Sequence, residues 1–287
     1  MRCGHLCPVF SIYAHNQIQK NVDFAYYLLG KVHHFLCIPR IITQKNDCIS
    51  ALCVIYFMRM EFRAERLGST MYTIHDLYDL SHTLASQYLS QYTYPWEALK
   101  GIKELVITLG QSLGSEYRQI TPQVWVHETA SIAPTAYLGA PCIIGAESEV
   151  RHGAFIRGSA LVGEHCVVGN SVELKNVILF DNVQVPHYNY VGDSILGYKA
   201  HMGAGAVTSN VKSDRSLVVI HGEVDIPTGI KKVGAMLGDH VEVGCNSVLN
   251  PGTVIGKNSN VYPLSSVRGT VPENSICKTG GVIVAKK

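Results

Sequence analysis

Small aliphatic residues return at every sixth position over much of the chain. Val126, Ile132, Leu138, Ile144, Val150, Ile156, Val162, Val168 and Leu174 hold this frame, which resumes at Leu237, Val243, Leu249, Ile255, Val261 and Val267. Gly often follows the aliphatic residue, as in Ile144-Gly145 and Val162-Gly163. A small residue often comes four places after it, as at Ala130, Ala136, Ser148, Ala154, Ala160, Ser247 and Thr253. A period of six predicts a parallel β-helix. Three hexapeptides make one triangular coil, the aliphatic residue points inward, and a small residue fits near the corner. Stacked coils bury a core that no single repeat buries alone. The expected fold is all-β, with the β-helix over residues 120–287 and about five or six coils.

The frame fails twice. Leu174 to Leu196 is a step of 22 residues and Met202 to Leu237 one of 35. Such breaks predict loops expelled from the solenoid, where function commonly resides.

Ahead of the repeats, residues 71–119 carry helical spacing, first at Ile74, Leu77, Leu84 and Tyr88. Pro95 suits the first turn of a second helix. Trp96, Leu99, Ile102, Val106, Leu109 and Leu113 follow at steps of three and four, one face of a helix. Gly110 and Gly114 mark its expected end. This predicts a helical hairpin packed on the repeat domain or on a neighbouring subunit, its apolar stripe serving as core. Residues 1–70 show neither period. They read as a poorly ordered extension, or as a translated upstream region with Met71 as the true start; intact mass of the native protein separates the two.

Composition changes little in this picture. Hydrophobic residues make up 47%, charged residues 16%, and the net charge is +2. That balance gives no electrostatic case for nucleic acid or an anionic membrane. No apolar run reaches the roughly 18 residues of a membrane span. Nine cysteines, an odd number with no CxxC pair, and no secretory leader predict free thiols in a reducing cytoplasm.

Chemistry-bearing residues gather near the breaks. The first reads Val172-Glu173-Leu174-Lys175-Asn176, then Pro186-His187-Tyr188-Asn189-Tyr190-Val191-Gly192-Asp193. The second opens with His201-Met202-Gly203-Ala204-Gly205 and runs to Ser209-Asn210. A His near Tyr, Asp and Lys is a candidate acid–base constellation, because imidazole titrates near neutrality. Gly203-Ala204-Gly205 lets backbone N–H groups approach a ligand and hold an oxyanion. Spacing alone is weak evidence here, since a lone histidine is more often structural.

These strings resemble the acetyltransferase half of the bifunctional glucosamine-1-phosphate acetyltransferase/N-acetylglucosamine-1-phosphate uridylyltransferases, above all the version in archaeal sugar-phosphate nucleotidyltransferases. The likeness covers roughly Thr121 to Val284, and Tyr94-Pro95-Trp96-Glu97 resembles the linker between the family's halves. It implies a left-handed β-helix, a homotrimer with its site between neighbouring helices, and acetyl-CoA as co-substrate. It also implies roles. His187 falls on the catalytic base, Arg157 and Lys175 on the phosphate-binding pair, and Tyr190 and Asn210 on sugar contacts. The Ala204 backbone falls where the acetyl group is met. A guanidinium and an ammonium suit a sugar phosphate.

Departures from the family bear on specificity. His201 stands where a second sugar-contacting Asn is common. Cys245 and Pro263 replace a serine and an alanine on the acetyl-CoA path. Gly280 stands in place of a terminal arginine, leaving Lys278 or Lys286 for CoA phosphates. About 120 residues precede the repeats, too few for the nucleotidyltransferase half, and they hold no Gly-rich phosphate loop. Left-handed β-helices also bind zinc through three convergent His; His152 and His165 lie on regular coils and are expected to face solvent, so no metal site is expected. Lys231-Lys232, in the second break, is either a solvated pair or a phosphate contact. The expected activity is acetyl transfer to the amine of an amino-sugar phosphate such as glucosamine-1-phosphate. The alternatives are transfer to a nucleotide-linked amino sugar, or a non-catalytic trimer that serves a separate nucleotidyltransferase.

Overall fold

The computed structural model describes residues 72–286. The extension over 1–70 and the choice of Met71 as a start lie outside the described residues.

From Val124 the chain winds as a left-handed parallel β-helix of about nine turns, with three faces. The first face stacks Val124–His127, Cys142–Ile144, Ala160–Val162, the ends of Glu173–Leu179 and Tyr190–Leu196, then Ala235–Leu237, Thr253–Ile255 and Thr270–Val271. The second stacks Ser131–Ile132, Glu149–Val150, Val167–Asn170, Gln184–His187, His201–Met202, Glu242–Val243, Asn260–Val261 and Ser275–Cys277. The third begins with Tyr137–Leu138 and Phe155–Ile156. It continues through the first halves of Glu173–Leu179 and Tyr190–Leu196 to Val207–Thr208, Val248–Leu249 and Ser266–Val267. The stack is therefore taller than five or six coils, because the coils that contain the breaks stay in it.

The inward frame is fully buried at Ile144, Ile156, Val162, Val168 and Leu174. Each such side chain contributes about 1.5–3 kcal/mol by leaving water. Small corner residues are buried too, and the Ser148 hydroxyl donates to the Gly163 carbonyl one coil on, at 2.7 Å. The corners turn on residues with left-handed backbone. Asn176 and Asp193, equivalent positions on successive coils, have φ of 56° and 50°. Asn and Asp tolerate that conformation better than other side chains.

The first break is not an expelled loop. Val126 to Ile144 and Ile144 to Val162 are 18 residues apart, but Val162 to Leu179 and Leu179 to Leu196 are 17. Two coils are each one residue short. The corner between third and first faces is taken without interruption, as the single strands Glu173–Leu179 and Tyr190–Leu196. His187 consequently ends a regular strand. The second break is an expelled loop, closed at its base by a bridge between Val211 and Lys232 and by the Val233 N–H donating to the Asn210 carbonyl at 3.1 Å. It carries the hairpin Val219–Ile220/Ile226–Pro227.

The segment before the solenoid differs from a two-helix hairpin. It is a train of short turns, Ile74–Leu77, Leu80–His82, Ser86–Leu89 and Pro95–Gly101, ending in one longer helix, Ile102–Ser112. It lies along the first face. The Asp239 N–H donates to the Leu77 carbonyl at 3.0 Å, the Tyr78 hydroxyl to the Ile195 carbonyl at 3.4 Å, and the Asn176 amide to the Leu99 carbonyl at 3.1 Å. The outward row of that face, Ile143, Leu161, Ile178 and Ile195, is thereby removed from water along with the inward row. Gly110 does not end the helix. It is buried within it, because a Cβ there would lie 2.3 Å from the Trp125 ring.

Candidate active site

Two corners flank the third face, and each gathers part of the expected constellation. At the corner leading into that face, His187 ends Gln184–His187. Its carbonyl accepts the Gly205 N–H at 3.0 Å, the Ala204 carbonyl accepts the Asn246 N–H at 2.9 Å, and the Cys245 carbonyl accepts the Leu264 N–H at 2.9 Å. This ladder continues the registers His201↔Glu242 and Glu242↔Asn260, and aligns His187, Ala204, Cys245 and Pro263 in one column along successive coils. The His187 side chain is exposed, and so are Cys245 and Pro263. The Ala204 N–H donates to no described residue, which leaves it open to a ligand oxygen. Gly203 beneath it has room for nothing larger, since a Cβ would meet the Cys245 nitrogen at 2.7 Å.

Asn189 secures this corner. It is 2% exposed, and its amide donates to the carbonyls of Gly203 (2.8 Å) and Ala206 (3.0 Å) while its oxygen accepts the His187 N–H at 3.1 Å. One buried side chain thus fixes the imidazole's backbone and the Gly203–Ala206 turn together. In the sequence, nothing beyond its place in the string between His187 and Tyr190 marks Asn189 out.

At the opposite corner, Asp193 is the centre. Its carboxylate accepts the Lys175 ammonium at 2.9 and 3.1 Å and the Asn176 amide at 2.9 Å, and it also accepts the Asn210 amide. Asn210 donates in turn to the Tyr190 hydroxyl at 3.2 Å. Burial, reinforced by Asp193, raises the Tyr190 phenol, so it stays protonated. Arg157, on the neighbouring coil, pairs with Glu173 at 2.8 Å, and that hydrogen bond raises its guanidinium further. Arg157, Lys175, Tyr190 and Asn210 are therefore brought together. Both cations arrive already matched by a carboxylate.

Two expected residues fall elsewhere. His201 registers with Gln184, three residues before His187, and its Nδ1 lies 2.8 Å from a Glu242 carboxylate oxygen. It lines a shallow cleft on the second face with Asn182, Lys199 and Glu242, apart from the Asp193 cluster. Lys278 lies in the exposed terminal turn, where its N–H donates to the Val282 carbonyl at 2.8 Å. His152 and His165 are exposed on regular coils. Among the described residues no group of three or more His, Cys, Asp or Glu is arranged to hold a metal ion, and no helix is long and apolar enough to cross a membrane.

Residues 141–255 match the family model described as the GMPPB C-terminal domain. The chain is 29% identical over 204 residues to the bifunctional protein GlmU of Methanococcus maripaludis, covering 70% of this chain and 50% of that protein. It is 30% identical over 174 residues to the bifunctional sugar-1-phosphate nucleotidylyltransferase/acetyltransferase of Sulfurisphaera tokodaii, covering 59% and 43%. The chain spans half or less of the length of these curated relatives. Among solved structures, a hexapeptide transferase family protein from Anaplasma phagocytophilum aligns at 16% identity and a TM-score of 0.32, covering 55% of this chain and 76% of that one. The similarity to the two bifunctional relatives involves the hexapeptide solenoid, and no nucleotidyltransferase half is evident among the described residues.

Proposed function

We propose that the solenoid is an acetyl-CoA-dependent N-acyltransferase acting on the amine of an amino-sugar phosphate such as glucosamine-1-phosphate. The supporting observation is the ladder that ties the His187 carbonyl to Gly205 and leaves the Ala204 N–H open beside an unencumbered imidazole. In the step proposed, the neutral amine attacks the thioester carbon. The carbonyl π electrons move to oxygen, and the Ala204 N–H stabilises that oxyanion. His187 takes the proton the nitrogen loses. Collapse expels the CoA thiolate, which receives the proton, giving amide and free thiol. The step draws on no metal. Arg157 and Lys175 meet the phosphate, and Tyr190 and Asn210 orient the sugar. Acetyl-CoA runs along the Ala204, Cys245 and Pro263 column, with Lys278 toward its phosphates.

A single face of the solenoid is too shallow to bury a thioester and a sugar together, so the reading includes a homotrimer with His201 facing a neighbouring subunit's site. Free thiols suit a reducing cytoplasm; the four described cysteines form no disulfide. Acetyl-CoA-dependent thiol release with glucosamine-1-phosphate, compared between wild type and His187→Ala, tests the reading. Equal rates remove His187 from the mechanism.

A second reading, transfer to a nucleotide-linked amino sugar, draws on Lys231 and Lys232. Both are exposed, and Lys232 bridges Val211, the residue after Asn210. They would supply positive charge for a second phosphate where Arg157 and Lys175 are already matched. Calorimetry with acetyl-CoA and with monophosphate and nucleotide-linked amino sugars separates the two, and a purely scaffolding trimer binds none of them.

A further inference from the structure

Resting on that reading, we propose that Asp193 is a positioning residue that fixes the hydrogen-bond polarity of the acceptor site, so that Asn210 offers an acceptor and Tyr190 a donor. A carboxylate only accepts, so every amide facing it must present its NH2 group. Asn210 Nδ2 has two protons. One goes to Asp193 and the other to the Tyr190 oxygen. The amide nitrogen is thus spent within the protein, and Asn210 Oδ1 is the atom left for a ligand. Tyr190, having accepted from Asn210, keeps its own O–H proton to give outward. Asn176 closes the other side, sharing its two protons between Asp193 at 2.9 Å and the Leu99 carbonyl at 3.1 Å.

Lys175 is held by the same carboxylate through both oxygens, which spends two of its three N–H donors and leaves one for an anion. The site therefore presents a fixed sequence of groups: one ammonium donor, one phenol donor, one amide acceptor. Its complement is a sugar whose hydroxyl donates to Asn210 Oδ1 and whose neighbouring oxygens accept from Tyr190 and Lys175. Asp193 is 3% exposed, so it acts only through those side chains and never meets the sugar. Its left-handed backbone, φ 50°, aims the side chain back across the corner toward all three donors.

Asp193→Asn inverts part of this order. Lys175 and Asn176 both donate to Oδ1, so the new amide must keep oxygen there and turn NH2 toward Asn210. Asn210 then has to flip, offering NH2 outward where the sugar hydroxyl needs an acceptor. Adding Asn210→Asp restores the acceptor at position 210, because the carboxylate accepts from the amide introduced at position 193 and still accepts from the sugar, but it also takes the Tyr190 O–H proton in place of donating to that phenol.

The test is steady-state acetyl transfer by the full chain, with KM measured separately for glucosamine-1-phosphate and acetyl-CoA. We expect D193N to raise the acceptor KM at least tenfold with the acetyl-CoA KM within twofold. We expect the D193N/N210D double variant to recover at least threefold of that acceptor KM, short of wild type because the Tyr190 proton turns to the carboxylate, a recovery that loss of packing would not give. An acceptor KM unchanged in D193N, or no recovery in the double variant, overturns the inference while the wild type still transfers acetyl groups. A wild type that transfers none overturns the functional reading and this inference together.

Discussion

The His187 carbonyl and the Gly205 N–H meet at 3.0 Å, which locks the candidate base and the candidate oxyanion turn into adjacent coils of one corner. The imidazole itself takes no part in that contact. Chemistry and scaffold are therefore separable at His187. His187→Ala is expected to lower acetyl transfer by 10²–10⁴-fold, the usual range for a lost general base. Its unfolding free energy should stay within about 0.5 kcal/mol of wild type, as for an exposed side chain. Thiol-release kinetics and urea titration measure the two effects on one sample.

Asn189 is the opposite case, a side chain with structure and function in the same bonds. Asn189→Ala removes two buried hydrogen bonds and one part-buried one, and leaves the carbonyls of Gly203 and Ala206 without this partner. We expect a loss of about 1–3 kcal/mol, the cost of unsatisfied buried groups. Activity should fall as well, because the Ala204 N–H loses its fixed direction. A variant with native stability would show that water replaces the amide.

The contact of Gly110 with Trp125 predicts that the first coil is held by the helix Ile102–Ser112. Gly110→Ala drives a methyl into the indole ring, and the ring has to shift. The expected cost is about 1–3 kcal/mol, as for other overpacked sites. Trp125 fluorescence should change in the folded state. An unchanged spectrum and midpoint would mean that the helix slides without cost.

Thiol labelling gives a different check. Burial pushes Cys142 and Cys166 up to about 12, so neither yields thiolate near neutral pH, whereas Cys245 is exposed. Cys245→Ser should remove one fast-reacting equivalent of an aromatic disulfide reagent, and acetyl-CoA should protect the same equivalent in the wild type. Retention of that equivalent in the variant would place Cys245 out of reach.

Burial also raises the carboxyls of Asp181 and Asp239 above the ordinary aspartate value of 3.8. Each binds its proton more tightly folded than unfolded. Their contribution to stability is thus full below the unfolded pKa and is lost as pH rises through the folded one. Asp239→Asn should make the decline in stability above about pH 4 shallower. Urea midpoints across pH 3.5–6.5 test the slope, and a steeper decline would reverse the sign.

The hexapeptide frame made the solenoid legible because its period is a direct record of inward packing. Leu174, Val185 and Val191 are buried whichever coil length is assumed. What the frame could not show was how a coil shortens. A step of 22 residues looks like an excursion, yet it passes through Leu179, Val185 and Val191 in steps of 5, 6, 6 and 5, so that each of two successive coils lacks one residue. Arg157, Lys175, Tyr190 and Asn210 were placed by their strings, and the geometry gathers them. Asp193 and Asn189 were harder to see. Their roles depend on partners 14 to 18 residues away in sequence, which become neighbours only when coils stack. The surroundings of His201 are hidden for a related reason: its register sets it beside Gln184 and Glu242, a relation that spacing along the chain does not carry.

The segment from Ile74 to Ser112 has a consequence for assembly. By lying over the first face it converts one wall of a three-walled prism into interior. An isolated coil has three equivalent ways to meet another copy, and this chain has two. Among the described residues, the bare strand faces left for self-association are the second and third, the two that meet at the His187 corner. Any copies that pack together through them bring that corner, with its open Ala204 N–H, into the seam rather than leaving it on the rim.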